Sequence, residues 1–319
     1  MRRNGTRSLP VLGETMFERD PVRLMIIDTS PANSGGAHLL HTYCSHFDPQ
    51  RIRALMVLHE DNVWAARYRE NETADVLVED GMFQSNTVAA IHETSAGAWL
   101  REVVGRTALL TPAFYRLVQE IRRHRIDVVM GLCDTPAMGA ALLGTVTGRP
   151  AIMHLVSTYV NEVEPAGLTA LGLLPAVRRV VQLSRYSARQ FPLLHRKTVV
   201  IHTGVDVDAV QRPRTPSLRG PRGFSPDVPL VGIAGRFVAV KGMDVFVRAA
   251  AVIAAKAPSA RFFLLGDDRG RYGDEVHRLV RELGLSDRVT FTGFVGDVYA
   301  ALADLDVVVV PSRRECAPV

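Results

Sequence analysis

The sequence predicts an α/β protein with parallel sheets, and three observations predict it. Short β-branched runs alternate with longer helical patterns along the chain. Its 319 residues suit two ordinary domains and exceed one compact core of typical size. A break in composition divides the alternation in two: Gln211–Pro229 is rich in Pro, Gly and Arg and has no hydrophobic period. That stretch reads as an interdomain linker or a long surface loop.

In the first half the strand candidates are Val22–Ile27, Ile52–Leu58, Asp127–Leu132, Ala151–Leu155, Val180–Leu183 and Thr198–His202. Helical patterns occupy Ala37–Phe47 and Phe114–Arg125, and Ser85–Arg106 also reads as helical. Residues 1–21 are polar, contain arginine and have no apolar core of a secretory signal, so they are expected to be disordered. The domains are therefore placed at 22–210 and 230–319, with 211–229 between them. In the second domain strand Leu230–Ala234 precedes helix Met243–Lys256, and strand Arg261–Leu265 precedes helix Asp274–Leu283. Strand Arg288–Thr292, a short helix Val298–Leu302 and strand Asp306–Val310 complete it. Four strands with an uncovered face would make an incomplete doubly wound domain. The expectation is that the C-terminal end of this domain is missing.

Hydrophobic residues make up 47% and charged residues 22%, the profile of a globular chain rather than a disordered one. Cys44, Cys133 and Cys316 are far apart and lack ligand spacing, which argues against a disulfide framework and a zinc site. No run approaches the ~20 apolar residues of a membrane span, so a cytoplasmic protein is expected. The formal net charge is +5, and lysine occurs only at Lys197, Lys241 and Lys256. Aromatic and basic residues are not interleaved in clusters, which disfavours nucleic acid as a partner. Arginines beside apolar positions in Phe114–Arg125 and Arg178–Arg196 leave peripheral contact with an anionic membrane as an alternative to ordinary solvated faces, the preferred reading.

The most informative stretch is Gly232–Gly242, GIAGRFVAVKG. A buried strand ends at Gly235, Arg236 follows, and Lys241–Gly242 lead into a helix. Glycine lets backbone approach a ligand closely, and the helix aims free N–H groups and its positive dipole end at the same place. Arg236 offers a planar fork and Lys241 a point charge, a combination suited to a diphosphate. A strand–turn–helix with two solvated cations is the plain alternative.

GRFVAVKG resembles the G-R-x-x-x-x-K-G element of the family 4 retaining glycosyltransferases. Further pieces follow in that family's order: IHTGVD (Ile201–Asp206), FFLLGDD (Phe262–Asp268), LSDRVTFTGFVGDV (Leu285–Val298) and ADLDVVVVPSRRE (Ala303–Glu315). In the first half SGGAHLL (Ser34–Leu40) and LSRYSA (Leu183–Ala188) resemble its Gly-Gly loop and V-S-x-x-x-A turn. The resemblance is loose before Val231 and close after it. It implies a GT-B fold of two Rossmann-like domains, the acceptor-side domain first and the donor domain second, with the reaction in the cleft between them.

The resemblance also implies roles. Arg236 and Lys241 match the diphosphate-binding pair, with Gly235 giving backbone access. Glu315 matches the first glutamate of E-x7-E, which contacts donor-sugar hydroxyls. Gly293 and Phe294 fall where backbone groups meet the nucleotide base, and Phe294 is read as core by a small margin. Gly35 and Gly36 would bring amides near the donor phosphate or acceptor. His154 falls near a functional histidine of the family, although Val156 or Ser157 competes for that place and a core histidine is the commoner outcome. After Glu315 the family often has Pro-Phe-Gly where this chain has Cys316, Ala317 and Pro318, which puts sugar contacts there in doubt.

The implied activity is transfer of a sugar from a UDP- or GDP-type nucleotide sugar with retention of configuration, in cell-envelope or polysaccharide synthesis. No cofactor and no essential metal are implied, and the acceptor is unspecified. A non-catalytic GT-B binding or scaffold protein and a GT-B phosphorylase or epimerase are the rival readings. A dinucleotide oxidoreductase is set aside, because no G-x-G-x-x-G follows a strand.

Overall fold

A computed structural model describes residues 20–30, 35–70, 74–80, 111–156, 163–215 and 217–316. Residues 1–19 of the segment expected to be disordered (1–21), and the segment expected to be helical (Ser85–Arg106), lie outside the described residues. Two compact units divide the chain between His202 and Thr203.

The first unit holds a seven-stranded, wholly parallel sheet in the order β3-β2-β1-β4-β5-β6-β7. Its strands are β1 (Val22–Asp28), β2 (Ile52–Leu58), β3 (Ala74–Val78), β4 (Val128–Leu132), β5 (Ala151–Leu155), β6 (Val177–Gln182) and β7 (Thr198–Val200). The described helices are α1 (Gly35–Ser45), α2 (Val63–Arg69), α3 (Thr111–Arg123), α4 (Asp134–Thr147), α5 (Val163–Gly172) and α6 (Arg185–Ala188). Near-continuous apolar runs in β1, β2 and β4 suit strands covered on both faces. Met25, Ile27, Leu55 and Val57 pack against Leu117 and Ile121 of α3 and Leu143 of α4. Met153, Leu155 and Val180 pack with Leu168 of α5 and with Phe191. Each such side chain, fully buried, contributes about 1.5–3 kcal/mol. Several elements were not anticipated, β3 and α4 among them. β3 is a short edge strand with one apolar alternation, and α4 is so rich in Ala and Gly that it shows no polar face.

The second unit holds a four-stranded parallel sheet in the order β10-β9-β8-β11. The strands are β8 (Leu230–Ala234), β9 (Arg261–Leu265), β10 (Val289–Gly293) and β11 (Val307–Val308). The helices are α7 (Val207–Gln211), α8 (Met243–Lys256), α9 (Arg271–Glu282) and α10 (Val298–Ala303). Ile233, Phe262 and Leu264 pack against Phe246 and Val247 of α8 and Val276 and Val280 of α9. The opposite face is covered too: Leu230, Phe263 and Leu265 pack with Ala301 of α10 and with Leu218 and Phe224. Those last two residues lie in the Pro/Arg/Gly-rich stretch, which belongs to the second unit. Asp304 accepts from the Leu218 and Arg219 amides at 2.6 and 2.9 Å, and Arg219 reaches Asp306 at 2.9 Å. Polar composition hides these two apolar anchors.

Candidate functional site

In open parallel sheets ligands bind beyond the carboxyl ends of the strands, where the strand order reverses. In the second sheet that point lies between β8 and β11, and the sequence-predicted residues fall on both sides of it. β8 runs into Gly235 (φ 157°), whose amide donates to Leu265 O at 2.9 Å. A Cβ on the neighbouring Gly266 would stand 2.0 Å from Gly235 O, so the two strand ends approach as only glycine allows. Arg236 follows, exposed. A single 3-10 turn, Ala239–Lys241, ends at Gly242, which is left-handed (φ 73°) and starts α8.

The segment after β11 lies against this turn. Pro311 O would be 2.4 Å from a Cβ on Gly242. Lys241 Nζ donates to Glu315 Oε2 at 2.5 Å, and Ser312 Oγ donates to the same oxygen at 3.2 Å. The Lys241 and Glu315 side chains are 29% and 23% exposed, so the pair is shielded yet reachable. Residues 74 apart in sequence thus meet at the reversal point. Gly293 (φ 68°) ends β10, and its carbonyl accepts from the Gly266 amide at 3.0 Å. Phe294 is 70% exposed, which corrects its reading as a core residue.

Sequence reading missed the partners around this pair. Arg313 forks onto Asp244, Nη1 to Oδ1 at 2.9 Å and Nη2 to Oδ2 at 2.6 Å. The same Nη1 donates to Ala239 O at 2.6 Å, and the Arg313 amide donates to Val240 O at 2.8 Å. Tyr272 of α9 donates to Asp244 Oδ1 at 2.6 Å. The Arg313 fork holds the Asp244 carboxyl well below the ordinary carboxylate range. The one signal in the sequence was an acid two residues after Lys-Gly, and nothing tied it to Arg313.

In the first sheet the order reverses between β1 and β4. Gly35 and Gly36 open α1 there, and its first amides lack helical partners by geometry. A Cβ on Gly36 would meet Ser30 Oγ at 2.9 Å and Leu132 Cδ2 at 3.3 Å, whereas Gly35 faces open space. Asp28 ends β1, buried, and burial raises its pKa against the hydrogen bond from the Ser30 amide at 2.8 Å. His154 lies within β5, 2% exposed, with its ring stacked on Tyr43 at 5.8 Å between centroids. Burial lowers its pKa to about 4, and its Nε2 has no partner among the described residues. Among the described residues no three His, Cys, Asp or Glu side chains gather as a metal site, and no helix is long and apolar enough to cross a membrane.

Comparison with known proteins falls on the same segments. Residues 228–319 match the family model described as Glycosyl transferases group 1. A D-inositol 3-phosphate glycosyltransferase of Mycobacteroides abscessus is 26% identical over 262 residues, 75% of this chain and 57% of that protein. The chain thus spans little more than half the length of this relative. A GDP-mannose-dependent α-(1-6)-phosphatidylinositol monomannoside mannosyltransferase of Mycolicibacterium smegmatis is 26% identical over 310 residues, 92% of this chain and 73% of that protein. Anabaena Alr3699/HepE, solved in complex with UDP and glucose, superposes with a TM-score of 0.72 at 20% identity, covering 92% of this chain and 76% of that one. Residues 228–319 therefore carry a glycosyl transferases group 1 domain, and the α/β architecture of the chain is similar to that of GT-B glycosyltransferases.

Proposed function

We propose that the chain is a glycosyltransferase that moves a sugar from a nucleoside-diphosphate donor to an acceptor with retention of anomeric configuration. The observation that carries this reading is the Lys241–Glu315 pair, held where the strand order reverses within the matched segment. Arg236 and Lys241 meet the diphosphate and neutralise the charge that grows on it as the bond to the sugar breaks. That electrostatic contribution is greatest in the transition state, so it accelerates the reaction. These cations take the part that a divalent metal plays elsewhere, and no metal is essential. Glu315 accepts from donor-sugar hydroxyls, while Gly293 and Phe294 meet the base. Gly235 lets the diphosphate approach the backbone. In the first unit Gly35 and Gly36 offer amides to substrate. His154, neutral in the physiological range, exchanges hydrogen bonds and does not carry charge.

The HepE complexes with UDP and UDP-glucose support a uridine donor, and the mannosyltransferase relative supports a guanosine one. Peripheral contact with an anionic membrane and a cell-envelope acceptor go with the same reading. The test is to incubate the purified protein with UDP- and GDP-sugars, with an acceptor extract, and to follow sugar transfer and product anomer by NMR. The expected result is transfer with retention that survives excess EDTA. Loss in EDTA restored by Mg²⁺ or Mn²⁺ overturns the metal-free mechanism. Nucleotide binding without any transfer identifies a non-catalytic binding protein instead.

A further inference from the structure

The N-terminus of α8 has a flaw as an anion site: its first turn carries a carboxylate. Asp244 is the second residue of the helix, three positions from Lys241. An acid there is favourable to the helix dipole, but it also repels any phosphate that approaches the same amides. A bare Asp244 would cancel much of what Lys241 and Arg236 supply.

We propose that Arg313 is a positioning residue that makes this helix end usable by a diphosphate, by neutralising Asp244 and pinning the Ala239–Lys241 turn. The inference rests on the donor-site reading above. Arg313 and Asp244 form a two-bond fork, the geometry in which a guanidinium neutralises a carboxylate most completely. Tyr272 turns the carboxylate further by donating to Oδ1. Two more bonds, from the Arg313 side chain to Ala239 O and from its amide to Val240 O, hold the turn immediately before Lys241. The residue two positions on is Glu315, which holds the Lys241 ammonium. One arginine thus ties both backbone segments of the site while removing its unwanted charge. Arg313 is 47% exposed and meets neither core cluster of the second unit, so packing does not account for it.

The experiment is calorimetric titration of the purified protein with UDP and with GDP, alongside thermal melting. Arg313→Ala should weaken the diphosphate that the wild type binds by about tenfold. Adding Asp244→Asn to that variant should recover most of the loss, because the uncompensated carboxylate is gone. A residue that merely braces the fold gives no such recovery, and failure of Asp244→Asn to restore binding overturns the proposal. Unchanged affinity in Arg313→Ala overturns it as well. Should that variant not fold, Arg313→Lys carries the test: with the charge kept, affinity should stay within about threefold of wild type, and a full tenfold loss overturns the neutralising role. If the wild type binds neither UDP nor GDP, the donor-site reading falls and this inference falls with it.

Discussion

The two sheets solve the same topological problem with opposite chemistry. Both reverse strand order beside their first strand, at β1/β4 and at β8/β11. The first unit fills its strand ends with buried polar groups: Asp28 at 3% exposure, His154 at 2% and Gln182 at 0%. The second presents ions, with Lys241 and Glu315 about a quarter exposed and Arg236 open to solvent. Partly hydrated ions can be handed to an incoming charge without the full desolvation cost, whereas dry polar groups discriminate shape and hydrogen bonding. The difference teaches where charge chemistry and where selection should be looked for.

The sharpest way to break that contrast is to remove the ions. Arg236→Ala or Lys241→Ala should lower transfer by about 2–4 kcal/mol of transition-state stabilisation, roughly 30- to 1,000-fold in rate. Melting temperature should hardly move, because neither side chain belongs to a core cluster. Steady-state kinetics with the donor that supports transfer decides it, and wild-type turnover in either variant ends the assignment.

Glycines sharpen the comparison at the level of backbone. Gly242→Ala forces an L-residue into a left-handed conformation and drives a methyl toward Pro311 O, 2.4 Å away. It should destabilise the second unit by about 2–3 kcal/mol. Gly35→Ala in the first unit meets open space and should change stability by no more than about 0.5 kcal/mol. Denaturant melts of both variants measure the pair, and equal losses would mean that the segment after β11 does not rest on Gly242 as described.

How much of this was legible in the sequence follows from the range of the forces involved. Leu230–Ala234, Met243–Lys256 and Arg261–Leu265 were bounded to the residue, because hydrophobic period and flanking Gly or Pro are local signals. β3 and α4 were missed where such signals thin out, in a short edge strand and in a helix without a polar face. Gln211–Pro229 looked like a linker because its docking rests on a few apolar residues, Leu218, Phe224 and Val228, set among polar and charged neighbours. Arg236, Lys241 and Glu315 were singled out by motif, whereas Arg313 was not. Its partner Asp244 is 69 residues away, and pairing at that separation is a tertiary fact. Phe294 failed for the same reason: an apolar residue after a strand declares its hydrophobicity but not its direction.

The smallest effect tests the dry side of the comparison. Burial holds the folded-state pKa of His154 at about 4, against 6.5 for an unhindered histidine. The unfolded chain therefore takes up the proton first as pH falls. The contribution to stability is intact above pH 6.5 and is lost as pH drops from there toward 4. By linkage the loss between neutral pH and pH 5 is about 2 kcal/mol. Asp28, whose pKa burial raises, acts with the opposite sign, since its folded state binds the proton more readily. The difference between wild type and a variant isolates the histidine. His154→Phe keeps a ring against Tyr43, removes the titrating group and removes the unpartnered Nε2. Its stability should match or exceed wild type at pH 7.5 and fall less steeply between pH 6.5 and pH 5, by about 2 kcal/mol at the acid end. Urea melts across that range give the two slopes. Parallel curves would show that His154 is solvated or charged in the folded protein, and the first unit's strand ends would then resemble the second's.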